Sequence, residues 1–255
     1  MSKAIFITIP FSHYCEKARW ALDRAGVEYE ERGYLPGLNR AATVRYGGTT
    51  VPMLVHDGLV LKDSTDIVAY ADRRASSAAR RLVPEDAALR DEALAIEDRL
   101  DKRMGVAARA WAYTYVLEDL AILRQLATHG LPTLQRLALG SLAGPLAMVI
   151  RKGLRIGPTT REWGKTRVDE DLAFVGSMIA DGRRFLVGDQ LSVADVALAT
   201  LSAPALLPDE YPPGLPALDA LPSDASAQVR RWRETPAGQF ALRIYREHRR
   251  APRGA

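Results

Sequence analysis

Patterns typical of β-strands are confined to the first 61 residues of this 255-residue chain. Residues 3–9 are rich in isoleucine and precede Pro10, which predicts a short buried strand followed by a turn. Residues 27–31 alternate apolar and polar side chains, and apolar runs at 51–55 and 59–61 flank an Asp57-Gly58 pair typical of a hairpin. The predicted sheet is therefore small and lies at one end of the chain.

Helical periodicity separates these strands and fills the rest of the chain. Small and apolar side chains recur at helical spacing over residues 14–25, and Gly26 ends the helix. Asp63 or Ser64 can cap a helix that runs to about residue 73, so the order is β-α-β-α-β-β-α. Beyond it the sequence predicts helices only, at residues 89–100, 111–126, 167–179, 192–201, 225–232 and 237–246.

A change of composition divides the chain. Residues 73–84 are rich in arginine, alanine and serine and show no apolar periodicity, which is typical of a linker. We therefore predict an α/β domain over residues 1–75 and an all-helical domain over residues 86–255. Hydrophobic residues make up 47% of the chain, enough for both parts to bury a core.

Cysteine usage and charge exclude several classes of protein. Cys15 is the only cysteine, which excludes an internal disulfide and favours a reducing, cytoplasmic location. The formal charge is +4, but the basic residues are interspersed with acidic ones, so nucleic-acid binding is not indicated. The basic stretch at 243–253 predicts a solvated tail, and the scattered histidines predict no metal site.

One segment is unusual because residues 137–150 carry no charged side chain. These fourteen residues are fewer than the roughly 20 that a transmembrane helix needs. Two interpretations stay open: a buried or capping helix, or an element that binds a membrane surface or a partner.

The turn between the first predicted strand and helix reads Ser12-His13-Tyr14-Cys15, where glutaredoxins carry a Cys-x-x-Cys pair. With Val51-Pro52, with Asp63-Ser64 and with a later segment at 185–195, this turn resembles the glutathione S-transferase superfamily. The resemblance runs from residue 4 to about residue 240. It implies a thioredoxin-like α/β domain followed by an all-α helical bundle.

The segment at 185–195 is the most specific match in the second half of the chain. It is similar to the folding motif of the family, in which a capped helix lies at the centre of the helical domain. Ser192 and Asp195 have the spacing of a capping box, with aspartate in place of the usual glutamate or glutamine.

The resemblance implies that Ser12 is the catalytic residue. A thiol of pKa about 8.5 is only a few per cent ionised at pH 7, and the thiolate is the nucleophile. A hydroxyl that donates to the thiolate contributes about 1.5 to 3 kcal/mol, and the positive end of the first helix adds to this. Taken alone, Ser12 would be interpreted as the N-cap of that helix, and it is the other motifs that favour the thiolate role.

The resemblance also implies glutathione as co-substrate. The matching Val-Pro bond of the family is cis, and the residue before the proline pairs with the cysteinyl part of glutathione. A helix N-terminus suits the γ-glutamyl carboxylate. The implied binding residues are Thr50, Val51, Pro52, Asp63 and Ser64.

The chain departs from the family just before the Val-Pro pair. A basic residue or glutamine often precedes the Val-Pro pair there, whereas Thr49 and Thr50 stand here. Binding of the glycyl carboxylate would then come from Arg40 or Arg45.

The resemblance implies a glutathione transferase that activates the thiolate for attack on a small, hydrophobic electrophile. It further implies a cytoplasmic homodimer with a role in detoxification, and it leaves glutathione-dependent ether cleavage open. Two alternatives remain: a non-catalytic scaffold, or a thiol transferase or lyase that uses Cys15. Of three aromatic residues, Trp111, Tyr113 and Tyr115, we expect one or two in the core and the rest at an acceptor pocket.

Overall fold

The computed structural model describes residues 3–126, 130–211 and 215–249. Within these ranges a four-stranded sheet lies near the N-terminus, and every element after the sheet is helical. This confirms the predicted fold class, a thioredoxin-like α/β domain followed by a helical bundle. The boundaries at residues 75 and 86 stay a prediction.

The sheet contains strands β1 (Ala4–Thr8), β2 (Tyr29–Gly33), β3 (Met53–His56) and β4 (Leu59–Leu61) in the order β2-β1-β3-β4. β1 pairs with β2 in parallel and with β3 antiparallel, and β3 and β4 form the predicted hairpin. Asp57 and Gly58 both have positive φ, 47° and 79°, as a tight hairpin turn requires.

Three helices complete this part of the chain. Helix α1 (His13–Ala25) ends at Gly26, whose φ of 78° is left-handed and favours glycine. Helix α2 (Asn39–Thr43) is short, and helix α3 (Ser64–Asp72) begins at Asp63, whose side chain accepts a hydrogen bond from the Thr65 amide. The predicted order β-α-β-α-β-β-α is confirmed.

The second part of the chain contains eight helices among the described residues. One prediction was wrong: residues 111–126 do not form a single helix, because Asp119 accepts a hydrogen bond from the Ala121 amide and starts a new one. The helices are α4 (Ala87–Lys102), α5 (Met104–Val116), α6 (Leu120–Leu126), α7 (Thr133–Gly153), α8 (Thr160–Met178), α9 (Val193–Leu206), α10 (Ser223–Glu234) and α11 (Pro236–His248).

Helix α9 is buried at the centre of this bundle. The carboxylate of Asp195 accepts hydrogen bonds from the amides of Ser192 and Leu186, both at 2.8 Å. The capping box predicted from the sequence is therefore present, and it joins the start of α9 to the segment that precedes it.

The C-terminal end of the described chain differs from the solvated tail expected from the sequence. Arg249 is buried, and its guanidinium pairs with Glu16 and Asp23 on α1. Two carboxylates on α1 thus draw this arginine out of solvent. Residues 250–253 of the same basic stretch lie outside the described residues.

The segment without charges lies within helix α7. Ala143, Ala147 and Ile150 are buried, whereas Leu137 and Met148 are 73% and 67% exposed. The helix therefore has one packed face and an apolar face open to solvent. Of the helices described, none has the length and apolar composition to cross a lipid bilayer.

Candidate functional site

A cavity of about 430 Å³ lies between the first domain and the helical bundle. The turn before α1, the segment around α2 and the loop before β3 supply one side. Helices α5, α6 and α7 and the chain after α9 supply the other. The first-domain residues that line the cavity are Ile9, Phe11, Ser12, His13, Tyr14, Pro36, Gly37, Asn39, Arg40, Thr49, Thr50 and Val51.

Ser12 occupies the N-cap position of α1 but does not act as a cap. Its backbone is extended, with φ −77° and ψ 124°, and its side chain makes no capping hydrogen bond. The residue is half-buried and lines the cavity. The structure thus favours the cavity over the cap as the place of this side chain, at the positive end of α1.

The Val51-Pro52 bond is cis, as the family resemblance implies. Strand β3 begins only at Met53, so Val51 stands outside the paired register of the sheet. Thr50 and Val51 both line the cavity. These two residues, which precede the cis proline, therefore share the cavity with Ser12.

The acidic-Ser pair lies at the start of α3, outside the lining of the cavity. Asp63 is exposed and accepts a hydrogen bond of 2.8 Å from the Thr65 amide, while Ser64 is buried. Burial raises the pKa of Tyr14, and the negative charges of Asp101 and Asp63 add to this rise. The structure therefore does not bring the acidic-Ser pair into the lining that Ser12, Thr50 and Val51 share.

Only one of the two arginines considered for the glycyl carboxylate touches the cavity. Arg40 lines it, at the end of α2 that lies beside Pro36 and Gly37. Arg45 is exposed, is not part of the lining, and lies over the ring of Tyr46 at 4.9 Å. The geometry favours Arg40.

Cys15 is fully buried and does not line the cavity. Burial raises the pKa of its thiol to about 12, although the charge of Arg19 and a hydrogen bond from the Ser12 side chain act in the opposite direction. The sulfur is therefore a protonated, packed group at neutral pH.

The three aromatic residues of α5 divide between core and cavity. Trp111 and Tyr115 are buried and pack together, with ring centroids 5.1 Å apart, while Tyr113 is half-buried. All three touch the cavity. Together with Ile122 and Leu154 they make its bundle side largely apolar.

Sequence reasoning missed Tyr14 and Arg109. Tyr14 donates a hydrogen bond of 2.8 Å to the Asp101 carbonyl, and the Arg109 guanidinium lies 5.6 Å from the Tyr14 ring centroid. Both line the cavity. A signal was present for Arg109, because it is the only charged residue within α5.

Neither aspartate nor glutamate lines the cavity in the described part of the chain, whereas Arg40 and Arg109 do. The residues that the structure describes also contain no group of three or more side chains able to hold a metal ion. The arrangement suits an anionic organic ligand with an apolar portion.

Comparison with known proteins identifies the family that the first domain resembles. Residues 6–79 match the family model described as the N-terminal domain of glutathione S-transferase. No curated protein matches the sequence.

Solved structures resemble the whole chain at low sequence identity. The glutathione transferase GSTFuA3 from Phanerochaete chrysosporium is 18% identical with a TM-score of 0.62, and the match covers 96% of this chain and 97% of that one. The β-etherase LigF from Sphingobium sp. strain SYK-6 is also 18% identical, with a TM-score of 0.59 and coverage of 95% and 99%. A glutathione S-transferase from Methylobacillus flagellatus with glutathione bound is 17% identical, with a TM-score of 0.54 and coverage of 94% and 98%.

Proposed function

We propose, from the membership of this chain in the glutathione S-transferase superfamily, that it binds glutathione in the cavity and transfers it to a hydrophobic electrophile. The observation that carries the proposal is the position of Ser12. The residue lines the cavity at the start of α1, and its side chain makes no hydrogen bond that caps the helix. A hydroxyl placed there can donate to a bound thiolate.

The rest of the tripeptide would extend from this point. Thr50 and Val51, beside the cis proline, would hold the cysteinyl part through the backbone, with Pro52 fixing the turn. Arg40 would pair with the glycyl carboxylate. At the start of α3, Ser64 would meet the γ-glutamyl carboxylate at the positive end of the helix, and Asp63, whose carboxylate already accepts from the Thr65 amide, would meet the ammonium of the same group.

The proposed reaction is a nucleophilic substitution by the thiolate. Binding at Ser12 releases the thiol proton to solvent, and the thiolate attacks the electrophilic carbon of the acceptor. The carbon–sulfur bond forms as the leaving group departs with its electron pair. The apolar bundle side of the cavity would hold the acceptor and exclude water, which strengthens the hydrogen bond from the hydroxyl.

The burial of Cys15 favours the serine mechanism over the cysteine alternative. Ether cleavage stays within the same chemistry, and the structural neighbours include a β-etherase as well as transferases. A scaffold without activity is the second candidate, favoured by the exposed apolar side chains of α7, such as Leu137 and Met148. A cytoplasmic homodimer active in detoxification completes the proposal.

Calorimetry with glutathione and turnover of chlorodinitrobenzene test this function. We expect the wild-type protein to bind glutathione and form the conjugate, and Ser12→Ala to lose most of the turnover while the fold is kept. Ser177→Ala, an exposed serine on α8, is the matched control and should behave as wild type. Binding without turnover would favour the scaffold, and the absence of both would contradict the proposal.

A further inference from the structure

Helix α5 presents a single charge to the cavity. Among its thirteen residues Arg109 is the only charged one. The residue is half-buried and lines the cavity. No described carboxylate forms an ion pair with its guanidinium. The guanidinium carbon lies 5.6 Å from the centroid of the Tyr14 ring. The charge is thus held on an apolar wall with no anion from the protein.

The surroundings of Arg109 add a second hydrogen-bond donor. Tyr113 stands one helical turn further along α5 and also lines the cavity. Burial raises the pKa of Tyr113 to about 12, and the charge of Arg109 only partly opposes this. The phenol therefore keeps its proton at neutral pH. A guanidinium and a phenol, both donors, face the same space.

Glutathione itself leaves this pair without a partner. In the proposed binding mode the glycyl carboxylate meets Arg40 and the γ-glutamyl carboxylate meets the start of α3, both on the side of the first domain. Arg109 lines the cavity from α5, together with Trp111, Tyr113 and Val116 of the same helix, and lies beside the ring of Tyr14. Its charge therefore stands on the apolar bundle side of the cavity, which the proposed binding mode leaves for the acceptor.

We infer that Arg109, assisted by Tyr113, binds a carboxylate on the acceptor, so that the preferred substrates are hydrophobic electrophiles that carry one. The inference rests on the proposed transferase function and names its substrate class. A planar guanidinium pairs with a carboxylate through two parallel hydrogen bonds, and the apolar walls around it strengthen the pair. Arg109 then determines specificity by touching the acceptor directly.

Two matched acceptors test this. One is an aryl chloride with two nitro groups ortho to chlorine and a carboxylate in the para position; the other is its methyl ester. In each case the thiolate forms a carbon–sulfur bond, chloride leaves with the electron pair, and the thiol proton goes to solvent. Ring, leaving group and reaction are the same, and only the negative charge differs.

Arg109→Gln should lower kcat/KM for the carboxylate by about 10- to 100-fold, mainly through KM, because a charge-assisted hydrogen bond is lost. Turnover of the ester should stay within about 2-fold of wild type, because the ester has no negative charge to pair with the guanidinium. Arg109→Lys should recover part of the loss, since it restores the charge without the planar fork. Arg230→Gln replaces an exposed arginine on α10 and should leave kcat/KM unchanged for both acceptors.

Equal losses for both acceptors in Arg109→Gln would show a structural role and overturn the inference while leaving the transferase function intact. A loss of carboxylate preference in Arg40→Gln instead would overturn it as well. If the wild type turns over neither acceptor, the function fails. Calorimetry with the two glutathione conjugates then decides the inference, because equal affinity for acid and ester contradicts it and tighter binding of the acid, lost in Arg109→Gln, supports it.

Discussion

Lys17 on α1 and Glu97 on α4 form an ion pair that is closed to solvent. The Lys17 Nζ lies 2.5 Å from Glu97 Oε1, and the two side chains are 0% and 3% exposed. Lys17 also donates to Asp101 and to the Thr65 hydroxyl on α3. The helix that follows Ser12 is thus linked to α3 and α4 by the polar contacts of Lys17, in addition to its packing against α3 and α9.

Lys17→Met should lower the free energy of unfolding by about 3 to 5 kcal/mol, because it leaves a buried carboxylate without its cation. Urea denaturation measures this loss as a lower midpoint. Lys102→Met is the control, since the pair of Lys102 with Asp98 is exposed, and its midpoint should match that of wild type. Equal midpoints for the two variants would contradict a structural role of Lys17.

The carboxylate of Glu31 on β2 makes the stability of the folded protein depend on pH. Burial alone would raise the pKa of Glu31, but the charge of Arg19 and hydrogen bonds from Arg19 and Thr8 outweigh burial and lower it. The ionised form is thus favoured by folding, so the stabilisation is present above the ordinary pKa of 4.5 and is lost as the pH falls through the lowered value. Glu31→Gln should be less stable than wild type at neutral pH, and the difference should vanish in acid. A constant difference across this range contradicts the assignment.

The buried thiol of Cys15 should be inert in the folded protein. Iodoacetamide at pH 8 should leave native protein unmodified and alkylate it fully in urea, as mass spectrometry can show. Cys15→Ala should keep wild-type turnover with glutathione, because the sulfur is neither exposed nor ionised. Rapid labelling of the native protein, or loss of turnover in the variant, would support a cysteine mechanism instead.

The carboxylate of Asp195 fixes the start of the central helix α9. Asp195→Ala leaves the amides of Leu186 and Ser192 without an acceptor and should cost about 2 to 4 kcal/mol of stability. Thermal unfolding gives the comparison, with Asp189→Ala at a nearby exposed position as control. Equal melting temperatures for the two variants would refute this assignment.

Local patterns predicted the elements of the fold better than the composition of the site. Hairpin, caps and helix stops depend on neighbouring residues, so Asp57-Gly58, Gly26 and Asp63 indicated them correctly. The break at Asp119 was missed because apolar spacing continues across it.

The residues that the helical bundle contributes to the cavity could not be predicted from local patterns. Tyr14 and Arg109 stand 95 positions apart and meet only in the folded chain, where the first turn of α1 contacts α5. The burial of Arg249 likewise depends on Glu16, far away in the sequence. Contacts of this kind follow from tertiary packing, which helix and strand periodicity do not predict.

The pKa of the glutathione thiol in the bound state tests the central claim most directly. Ultraviolet difference titration follows thiolate absorption in the wild-type complex and in Ser12→Ala. We predict a midpoint about two units below the free value of about 8.5 for wild type, and a rise of about one to two units in the variant. A bound thiol that titrates at the same pH in both proteins would contradict the role of the Ser12 hydroxyl.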